Sequence, residues 1–261
     1  MPNISLALSG SGFRFSAFIG VLKALEEANY TITEVAGTSG GGIISSMIAY
    51  GLNSDQLLNI AKNLPYGSFV SPNLGSLFSF TGWNDGAALE KALGNVLGVA
   101  TFLDLLIPCS IVATDLTEQK SFVFNQKNTP STDLVLADRC SSAVPFIFSY
   151  VDFNGHTMVD GGVSNDLPVN YLKNSSNIKL AVQLTETTVK QNPANLIDLA
   201  SMVLDTILIA TSNGYLNEPN VKVLNIITPH GMSFKTDMNA NDVQMLYELG
   251  YNTAKKELST W

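Results

Sequence analysis

Cysteine and histidine are scarce in this chain, which limits the metal and disulfide chemistry available to it. The 261 residues include 2 cysteines, Cys109 and Cys140, and 2 histidines. Both cysteines lie inside apolar stretches, and a single pair does not make a disulfide framework, so we expect two buried thiols. No Cys-x-x-Cys pair and no histidine-rich spacing resembles a metal site. The sequence therefore predicts no bound metal.

Charged residues are also few, and most of them are acidic. They make up 14% of the chain, with 14 Lys and Arg against 22 Asp and Glu and a net charge of -8. A hydrophobic fraction of 46% excludes a disordered chain and indicates a large buried core. Because the chain has no basic stripe, we expect no nucleic-acid partner. The same charge argues against electrostatic recruitment to anionic lipid, so any transient membrane contact should be apolar or assisted by a partner.

The sequence shows neither a hydrophobic leader nor an apolar run suited to spanning a bilayer. Residues 4–8 enter a glycine turn directly, as a first core strand would, so we expect no cleavable signal peptide. Residues 196–210 form a long apolar run in which Asp198 and Asp205 share one helical face. We interpret this run as an amphipathic core helix and not as a membrane span. The expected location is cytoplasmic, with peripheral membrane contact at most.

Strand-like and helix-like patterns alternate along the chain, which is typical of a sheet covered by helices. The predicted strands cover residues 4–9, 33–37, 110–115, 121–125, 148–153, 156–159, 179–184 and 221–227. The predicted helices cover residues 13–29, 40–50, 54–63 with Ser54 as its cap, 132–142, 194–213 and a stretch from about 241. No Pro- or Ser-rich linker, charge block or repeat divides the chain. We therefore predict an α/β fold and a single domain over residues 1–261.

Residues 64–85 differ from the rest of the chain in being rich in Gly, Pro, Ser and aromatic residues. The aromatic residues include Phe69, Phe78, Phe80 and Trp83. Long loops in compact domains often act as lids over a site. The alternative is a loop that packs through short helices of its own. We predict that this segment gates the functional site.

A Gly-x-Ser-x-Gly sequence at residues 37–41 is the strongest indication of chemistry. It lies between a predicted strand and a predicted helix. In such an elbow the glycines allow a sharp backbone turn, and the serine hydroxyl is exposed above the N-terminus of the helix. Ser39 is therefore the candidate nucleophile, and the supporting residues are Gly37, Gly40 and Gly41. The alternative is a glycine-rich turn in which the serine only caps a helix.

A second glycine turn, residues 10–14, follows the first predicted strand and opens the first helix. Backbone N–H groups in such a turn can bind an anion. A dinucleotide fingerprint would have Gly or Ala where this chain has Phe15, so we predict no cofactor here. An oxyanion hole beside the elbow fits better, and its candidate donors are Gly10, Ser11, Gly12 and Phe13. Arg14 would steady this loop, meet a phosphate or form a surface ion pair.

A serine nucleophile needs a base, and three residues are candidates. Asp160 follows a predicted hairpin and precedes Gly161 and Gly162, a turn that would expose its carboxylate, and Gly161 is a further supporting residue of the site. His156 lies in the same hairpin and is expected to be solvated. His230 follows a later strand, and the chain order of serine, aspartate and histidine is that of an α/β-hydrolase triad. Against a triad, the elbow follows only the second strand, whereas three or more usually precede it in that fold.

These motifs together resemble the patatin-like phospholipase family. Residues 8–14 and 20–26 are similar to its oxyanion loop and first helix, residues 37–41 to its nucleophile elbow, and residues 160–162 to its aspartate motif. Residues 101–105, 112–116 and 141–145 resemble further blocks of the family. The likeness runs from residue 6 to about 172. It departs from the family at Phe15, where glycine is usual, and at Gly40, where alanine is common.

The resemblance implies a three-layer α/β/α fold whose mostly parallel central sheet carries the elbow after an early strand. It implies a lipid acyl hydrolase of the phospholipase A or lysophospholipase type, acting on a phospholipid or another acyl ester. Ser39 would attack the ester and Asp160 would act as base, without a histidine, a metal or a cofactor. Some members of the family act only with a partner or a bound factor, so an activating protein partner is allowed, and no oligomeric state is predicted. A triad esterase using His230 and a non-catalytic lipid-binding module on the same fold stay open.

Overall fold

A computed structural model describes residues 2–72, 83–174, 176–187, 192–193, 196–212 and 220–260. Eight strands form one sheet within these ranges. They are β1 (Asn3–Leu8), β2 (Thr31–Thr38), β3 (Cys109–Asp115), β4 (Lys120–Asn125), β5 (Val151–Phe153), β6 (His156–Asp160), β7 (Ile178–Glu186) and β8 (Val221–Thr228). Each predicted strand is thus confirmed, with its bounds shifted by a few residues.

The sheet has a parallel centre and an antiparallel end. Its order is β5, β6, β3, β2, β1, β7, β8, and β4 pairs with β3 outside this path. The pairs joining β3, β2, β1, β7 and β8 are parallel. The pairs of β3 with β4, of β3 with β6 and of β5 with β6 are antiparallel. The predicted mostly parallel α/β sheet is confirmed.

Helices flank the sheet. They are α1 (Ser16–Glu27), α2 (Gly40–Tyr50), α3 (Ser54–Lys62), α4 (Tyr66–Phe69), α5 (Ala87–Leu97), α6 (Leu134–Ser141), α7 (Leu196–Ser212) and α8 (Ala240–Leu258). The sequence patterns did not predict α5. The predicted first helix begins as a 3-10 turn, Gly12–Phe15, which precedes α1. The predicted cap of α3 was also wrong. Asn53 caps α3 through a capping box with Gln56, whereas Ser54 binds the Glu26 carboxylate.

The two faces of the sheet are buried differently because successive side chains of a strand point to opposite sides. On β1, Ile4, Leu6 and Leu8 belong to the main core shared with α1, α2 and α8. The opposite face carries a row of alanines in register, Ala36, Ala7 and Ala181. These small side chains let residues 167–172 pack directly on the sheet. That packing fixes the segment that follows Asp160.

α7 is less buried than the expected core helix. Its side chains Met202, Val203 and Ile209 are exposed, and α7 packs against the turn Gly161–Val163. Among the described residues, none of the helices is both long and apolar enough to cross a membrane. Of the predicted lid, α4 is described and contributes to the main core through Tyr66 and Phe69. Phe78 and Phe80 lie outside the described residues.

Candidate active site

Ser39 occupies the turn between β2 and α2 in the conformation of a nucleophile elbow. Its backbone has φ 54 and ψ -128, a region that non-glycine residues rarely adopt and that is typical of strained functional turns. The residue is 6% exposed. The Ser39 N–H donates to Oγ of Ser141 over 2.8 Å. A neighbouring side chain therefore holds the unusual backbone conformation in place.

The predicted supporting glycines lie where two backbone segments nearly touch. A Cβ on Gly40 would lie 2.2 Å from Ser11 Oγ and 2.7 Å from the Gly12 carbonyl oxygen. The alanine common at this position in the family would therefore press on the glycine loop here. The backbone is as close at Gly37, Gly41 and Gly161. A Cβ on any of these three would lie 2.1 to 2.3 Å from a backbone oxygen.

The register of β3 brings Ser39 and Asp160 together. Thr38, the last residue of β2, pairs with Val112. Asp160, the last residue of β6, pairs with Ala113 on the same edge of β3. Because β2 and β6 approach β3 from opposite ends and meet at consecutive residues, the residue that follows β2 lies beside the carboxylate that ends β6.

Asp160 is a buried carboxyl group with one oxygen already bound. Asp160 is 4% exposed, and its Oδ1 accepts the Gly162 N–H over 2.8 Å. Its Oδ2 is buried and has no hydrogen bond of good geometry within the described part of the chain. Burial raises the pKa of Asp160 to about 6, partly offset by the Ser39 hydroxyl and the Gly162 amide, which favour the ionised form. The Ser39 hydroxyl thus faces a carboxylate that can accept its proton.

The glycine loop presents fewer free N–H groups than the sequence predicts. The Gly10 N–H donates to the main-chain oxygen of Asp166 and to its Oδ1, over 3.2 and 3.1 Å. The Phe13 N–H donates to the Ser233 carbonyl over 2.7 Å. Both groups are therefore engaged inside the protein. In the described ranges, the N–H groups of Ser11 and Gly12 have no such acceptor.

Arg14 holds the glycine loop in place, which is the first of the three roles predicted for it. Its Nε donates to the Ser11 carbonyl over 3.0 Å, and its guanidinium donates to Thr228 Oγ1 over 3.1 Å. The side chain also lies 3.6 Å from the Glu186 carboxylate. Arg14 is buried, so the alternative of a surface ion pair is wrong.

Two cavities meet at Ser39. The first is lined almost wholly by apolar side chains of α2, α3 and α5, together with Phe13, Phe15 and Phe69. Phe15 stacks on Tyr66 with ring centroids 6.1 Å apart, so this departure from the family forms part of the cavity wall. The second is larger and contains the polar groups of Arg14, Asp160, Glu186 and His230.

The structure separates the two histidines. The ring Nδ1 of His156 lies 2.7 Å from the Asp115 carboxylate and the side chain is partly exposed, so the expected solvated histidine is in fact paired. His230 lines the polar cavity with Ser39, but its Nδ1 lies 3.3 Å from the Glu186 carboxylate. No group of three His, Cys, Asp or Glu side chains among the described residues could hold a metal ion. Both cysteines are free and buried, as predicted.

Three residues at the site were missed by reasoning from the sequence. They are Ser141, Asp166 and Glu186, which contact the elbow, the glycine loop and Arg14, respectively. Ser141 lies within a block noted for its family likeness, and Asp166 follows Asp160 by six residues. Their contacts are with residues more than one hundred positions away in the chain, so no local pattern indicates them.

Comparison with known proteins identifies the family. The model of the family described as "Patatin-like phospholipase" matches residues 6–173. An uncharacterized NTE family protein of Mycobacterium tuberculosis is 32% identical over 168 residues, which cover 64% of this chain and 45% of that protein. A "Probable lipid hydrolase" of invertebrate iridescent virus 6 is 25% identical over 214 residues, 72% of each chain. The chain thus spans less than half of its mycobacterial relative.

A solved structure supports the same conclusion at the level of fold. The crystal structure of VipD from Legionella pneumophila superimposes with a TM-score of 0.62 at 16% sequence identity, covering 99% of this chain and 67% of that one. At this identity the likeness concerns the fold alone. The family match covers well over half of the chain and includes both the elbow and the aspartate turn. The chain therefore belongs to the patatin-like phospholipase family, a family of lipid hydrolases.

Proposed function

We propose that this protein is a lipid acyl hydrolase of the phospholipase A or lysophospholipase type, with Ser39 as nucleophile and Asp160 as its base. One observation carries the proposal. The serine sits in a left-handed elbow, and its hydroxyl faces a buried carboxylate whose second oxygen has no other partner in the described structure. A buried carboxylate with a pKa near 6 is ionised at neutral pH and is basic enough to take up a proton during attack.

The proposed reaction proceeds through an acyl-enzyme. Asp160 takes the proton of the Ser39 hydroxyl as Oγ attacks the ester carbonyl, which gives a tetrahedral oxyanion. The N–H groups of Ser11 and Gly12 stabilise this oxyanion. Asp160 returns the proton to the departing alcohol, and the acyl group stays on Ser39. Asp160 then activates a water molecule, which releases the fatty acid and restores the serine.

The two cavities fit the two halves of such a substrate. The apolar cavity accommodates the acyl chain, because its almost wholly apolar walls would leave a polar head group short of hydrogen-bond partners. The polar cavity accommodates the alcohol, which in a phospholipid carries the glycerol and head group. Since Ser39 borders both cavities, an ester bond that spans them lies next to the hydroxyl.

Fatty-acid release from phosphatidylcholine vesicles, together with hydrolysis of p-nitrophenyl butyrate, tests the proposal. Ser39→Ala and Asp160→Asn should each abolish both activities. His156→Ala is the matched control, because His156 lines neither cavity at Ser39. Wild-type turnover in either of the first two variants would refute the assignment. A fluorophosphonate probe should label Ser39, whereas a non-catalytic lipid-binding module would not react.

A Ser39, Asp160, His230 triad is the second candidate, since His230 lines the same polar cavity as the serine. The pairing of its Nδ1 with Glu186 leaves Asp160 to the serine and argues for the dyad. His230→Ala separates the two mechanisms. A triad loses about six orders of magnitude in kcat without its histidine, whereas the dyad keeps kcat and changes at most the KM for substrates with large head groups.

Membrane contact belongs to the same proposal. Phe146 is 68% exposed and its neighbours Val144, Pro145 and Ile147 line the polar cavity. Met202 of α7 lines that cavity as well and is exposed. Apolar side chains at the mouth of a cavity can enter the interfacial region of a bilayer without help from positive charge. Such contact suits a chain whose net charge is -8.

A further inference from the structure

We propose that Asp166 is a positioning residue that works as a neutral carboxylic acid, holding the glycine loop so that Ser11 and Gly12 point their N–H groups at the oxyanion. This inference rests on the proposed hydrolase function. It assigns a role to a buried acidic group that the dyad itself does not use. The argument comes from the contacts of both carboxyl oxygens and from the charges around them.

The first oxygen of Asp166 fixes the start of the loop. Oδ1 accepts the Gly10 N–H over 3.1 Å, beside the contact of that N–H with the Asp166 main-chain oxygen. A Cβ on Gly10 would lie 2.4 Å from Oδ1, so the glycine loop and the carboxyl group are in close contact. Because Gly10 is held in this way, Asp166 fixes the position of the two residues that follow, whose N–H groups are the proposed oxyanion donors.

The second oxygen of Asp166 is held by Ser212 of α7. Ser212 Oγ donates to Oδ2 over 2.7 Å and also lies 2.8 Å from the Leu208 carbonyl, one turn earlier in the same helix. A hydroxyl has one proton to donate and two lone pairs, so Ser212 can accept the proton of a neutral carboxyl group when it donates to Leu208. Both protonation states of Asp166 therefore keep this contact, and the charges around the group decide between them.

The charges around Asp166 favour the neutral form. Asp160 and Asp166 flank Gly162, and each has its Oδ1 within 3.2 Å of the place a Cβ on Gly162 would take. Two carboxylates at such a site do not both ionise easily. Burial, followed by the charge of Asp160, raises the pKa of Asp166 to about 7, although Ser212, Gly10 and Arg14 favour its ionised form.

The neutral form has a direct consequence for catalysis. A negative charge on Asp166 would lie at the base of the oxyanion loop while a second negative charge forms on the substrate oxygen. It would also stabilise the protonated form of Asp160, because like charges disfavour ionisation. Loss of the Asp166 proton should therefore lower kcat at alkaline pH. The alkaline decline belongs to Asp166, whereas the decline on the acid side belongs to Asp160.

Asparagine in place of Asp166 imitates the neutral acid. Its Oδ1 can accept the Gly10 N–H and its Nδ2 can donate to Ser212, but it cannot ionise. Asp166→Asn should keep kcat within about threefold of wild type at neutral pH and should lose the alkaline decline in kcat. Asp166→Ala should lower kcat by at least about tenfold while KM changes little, because it frees the loop. An Asp166→Asn variant as inactive as Asp166→Ala, or one that keeps the alkaline decline, would overturn the proposal.

A second measurement tests the proposal without any activity. In Ser39→Ala protein, the thermal unfolding temperature is compared with and without Asp166→Asn at several pH values. A carboxyl group whose pKa is raised on folding stabilises the protein at low pH and loses that contribution as pH rises through its folded pKa. The unfolding temperature of the protein that keeps Asp166, relative to that of the protein carrying Asp166→Asn, should therefore fall between pH 5 and pH 8.

The two measurements separate the two proposals. If Ser39→Ala protein hydrolyses lipid as fast as the wild type, the proposed function fails. The unfolding experiment still decides whether Asp166 is neutral in the folded protein. A difference in unfolding temperature that stays constant over this pH range would show that Asp166 takes up no proton on folding. That result would overturn the inference about Asp166 while leaving a Ser39-dependent hydrolase in place.

Discussion

Ser141 holds the backbone of Ser39 at the elbow. Its Oγ accepts the Ser39 N–H over 2.8 Å and donates to the Val112 carbonyl of β3 over 2.5 Å. The next residue of β3, Ala113, pairs with Asp160. One side chain of α6 therefore ties the proposed nucleophile to the strand that positions its proposed base. It stabilises a backbone conformation that costs about 1–3 kcal/mol when it is unsupported.

Substitution of Ser141 by alanine should impair catalysis more than binding. The change leaves a buried N–H and a carbonyl without their partner, which should lower the free energy of unfolding by about 1–3 kcal/mol. We expect kcat to fall by about tenfold or more, because small shifts of a nucleophile are costly. KM should change little, since Ser141 lines neither cavity at the nucleophile.

Ser45→Ala is the matched control for this change. Ser45 is buried on α2, and its Oγ has no hydrogen-bond partner in the described structure. Its removal should leave both the unfolding free energy and kcat close to wild type, as measured by urea unfolding and p-nitrophenyl butyrate hydrolysis. Equal losses in Ser141→Ala and Ser45→Ala would mean that any missing hydroxyl near the elbow is harmful.

Hydrolysis should depend on pH through Asp160. Burial raises the pKa of this carboxyl group to about 6, and the proposed base must be ionised to accept a proton. The kcat/KM for a soluble ester should therefore rise with pH on the acid side of its optimum, with a midpoint near 6. The same rise should persist in a variant that lacks both His156 and His230. Its disappearance there would assign the titration to a histidine and argue for the triad.

The secondary structure near the elbow was predictable because its signals are local. The pattern of residues 40–50 predicts α2 with the bounds that the structure shows. Ser39 is a candidate nucleophile because of the glycines on either side of it, Gly37 and Gly41. Helix α5 was missed because it begins after Gly86 without a side-chain cap and contains Gly94, features that weaken a helical pattern. For α3, the choice between Asn53 and Ser54 depended on Glu26, 28 residues away from Ser54.

The arrangement of the site depends on contacts that no local pattern contains. Four N–H groups of the glycine loop were equivalent candidates for the oxyanion hole. Two of them are engaged by Asp166 and Ser233, and these residues are more than 150 positions further along the chain. The pairing of Thr38 and Asp160 with consecutive residues of β3 likewise follows from the folded sheet. Motif order predicted the dyad, whereas its geometry required the structure.

Two glycine substitutions should have opposite effects on stability. Gly12 has φ +54, and a Cβ there would lie 2.2 Å from the Ser233 carbonyl oxygen. Gly12→Ala should therefore destabilise the protein by about 1–3 kcal/mol and sharply reduce kcat by displacing the loop. Gly94 lies inside α5 with open space around its Cα. Gly94→Ala should stabilise the protein by about 0.5–1 kcal/mol. Urea unfolding measures both changes, and destabilisation by Gly94→Ala would contradict this reading of the helix.

The apolar cavity should determine which acyl chains are hydrolysed. Ala92 of α5 lines this cavity, so Ala92→Phe would fill part of it. We expect the ratio of p-nitrophenyl palmitate to p-nitrophenyl butyrate hydrolysis to fall by about tenfold, because about 1.4 kcal/mol of lost contact suffices for that change. Ala87→Phe, on the exposed side of the same helix, should leave the ratio unchanged. A ratio unaffected by Ala92→Phe would place the acyl chain elsewhere.

Phe146 should matter for vesicles and not for soluble esters. It has φ 70, and asparagine tolerates this left-handed conformation better than other residues apart from glycine. Phe146→Asn should therefore remove the exposed ring without disturbing the turn. Burial of such a ring in a bilayer contributes about 1.5–3 kcal/mol. Hydrolysis of vesicle phospholipid at limiting lipid should fall by about tenfold or more, while p-nitrophenyl butyrate hydrolysis stays at the wild-type level.

Val99→Asn is the control for a general loss of surface hydrophobicity. Val99 is 89% exposed and follows α5, and it lines neither cavity at Ser39. Its substitution should leave vesicle hydrolysis unchanged. If Phe146→Asn and Val99→Asn reduce vesicle hydrolysis equally, binding depends on apolar surface in general. If neither reduces it, the bilayer contacts another face, and the exposed side chains Met202 and Val203 of α7 become the next to substitute.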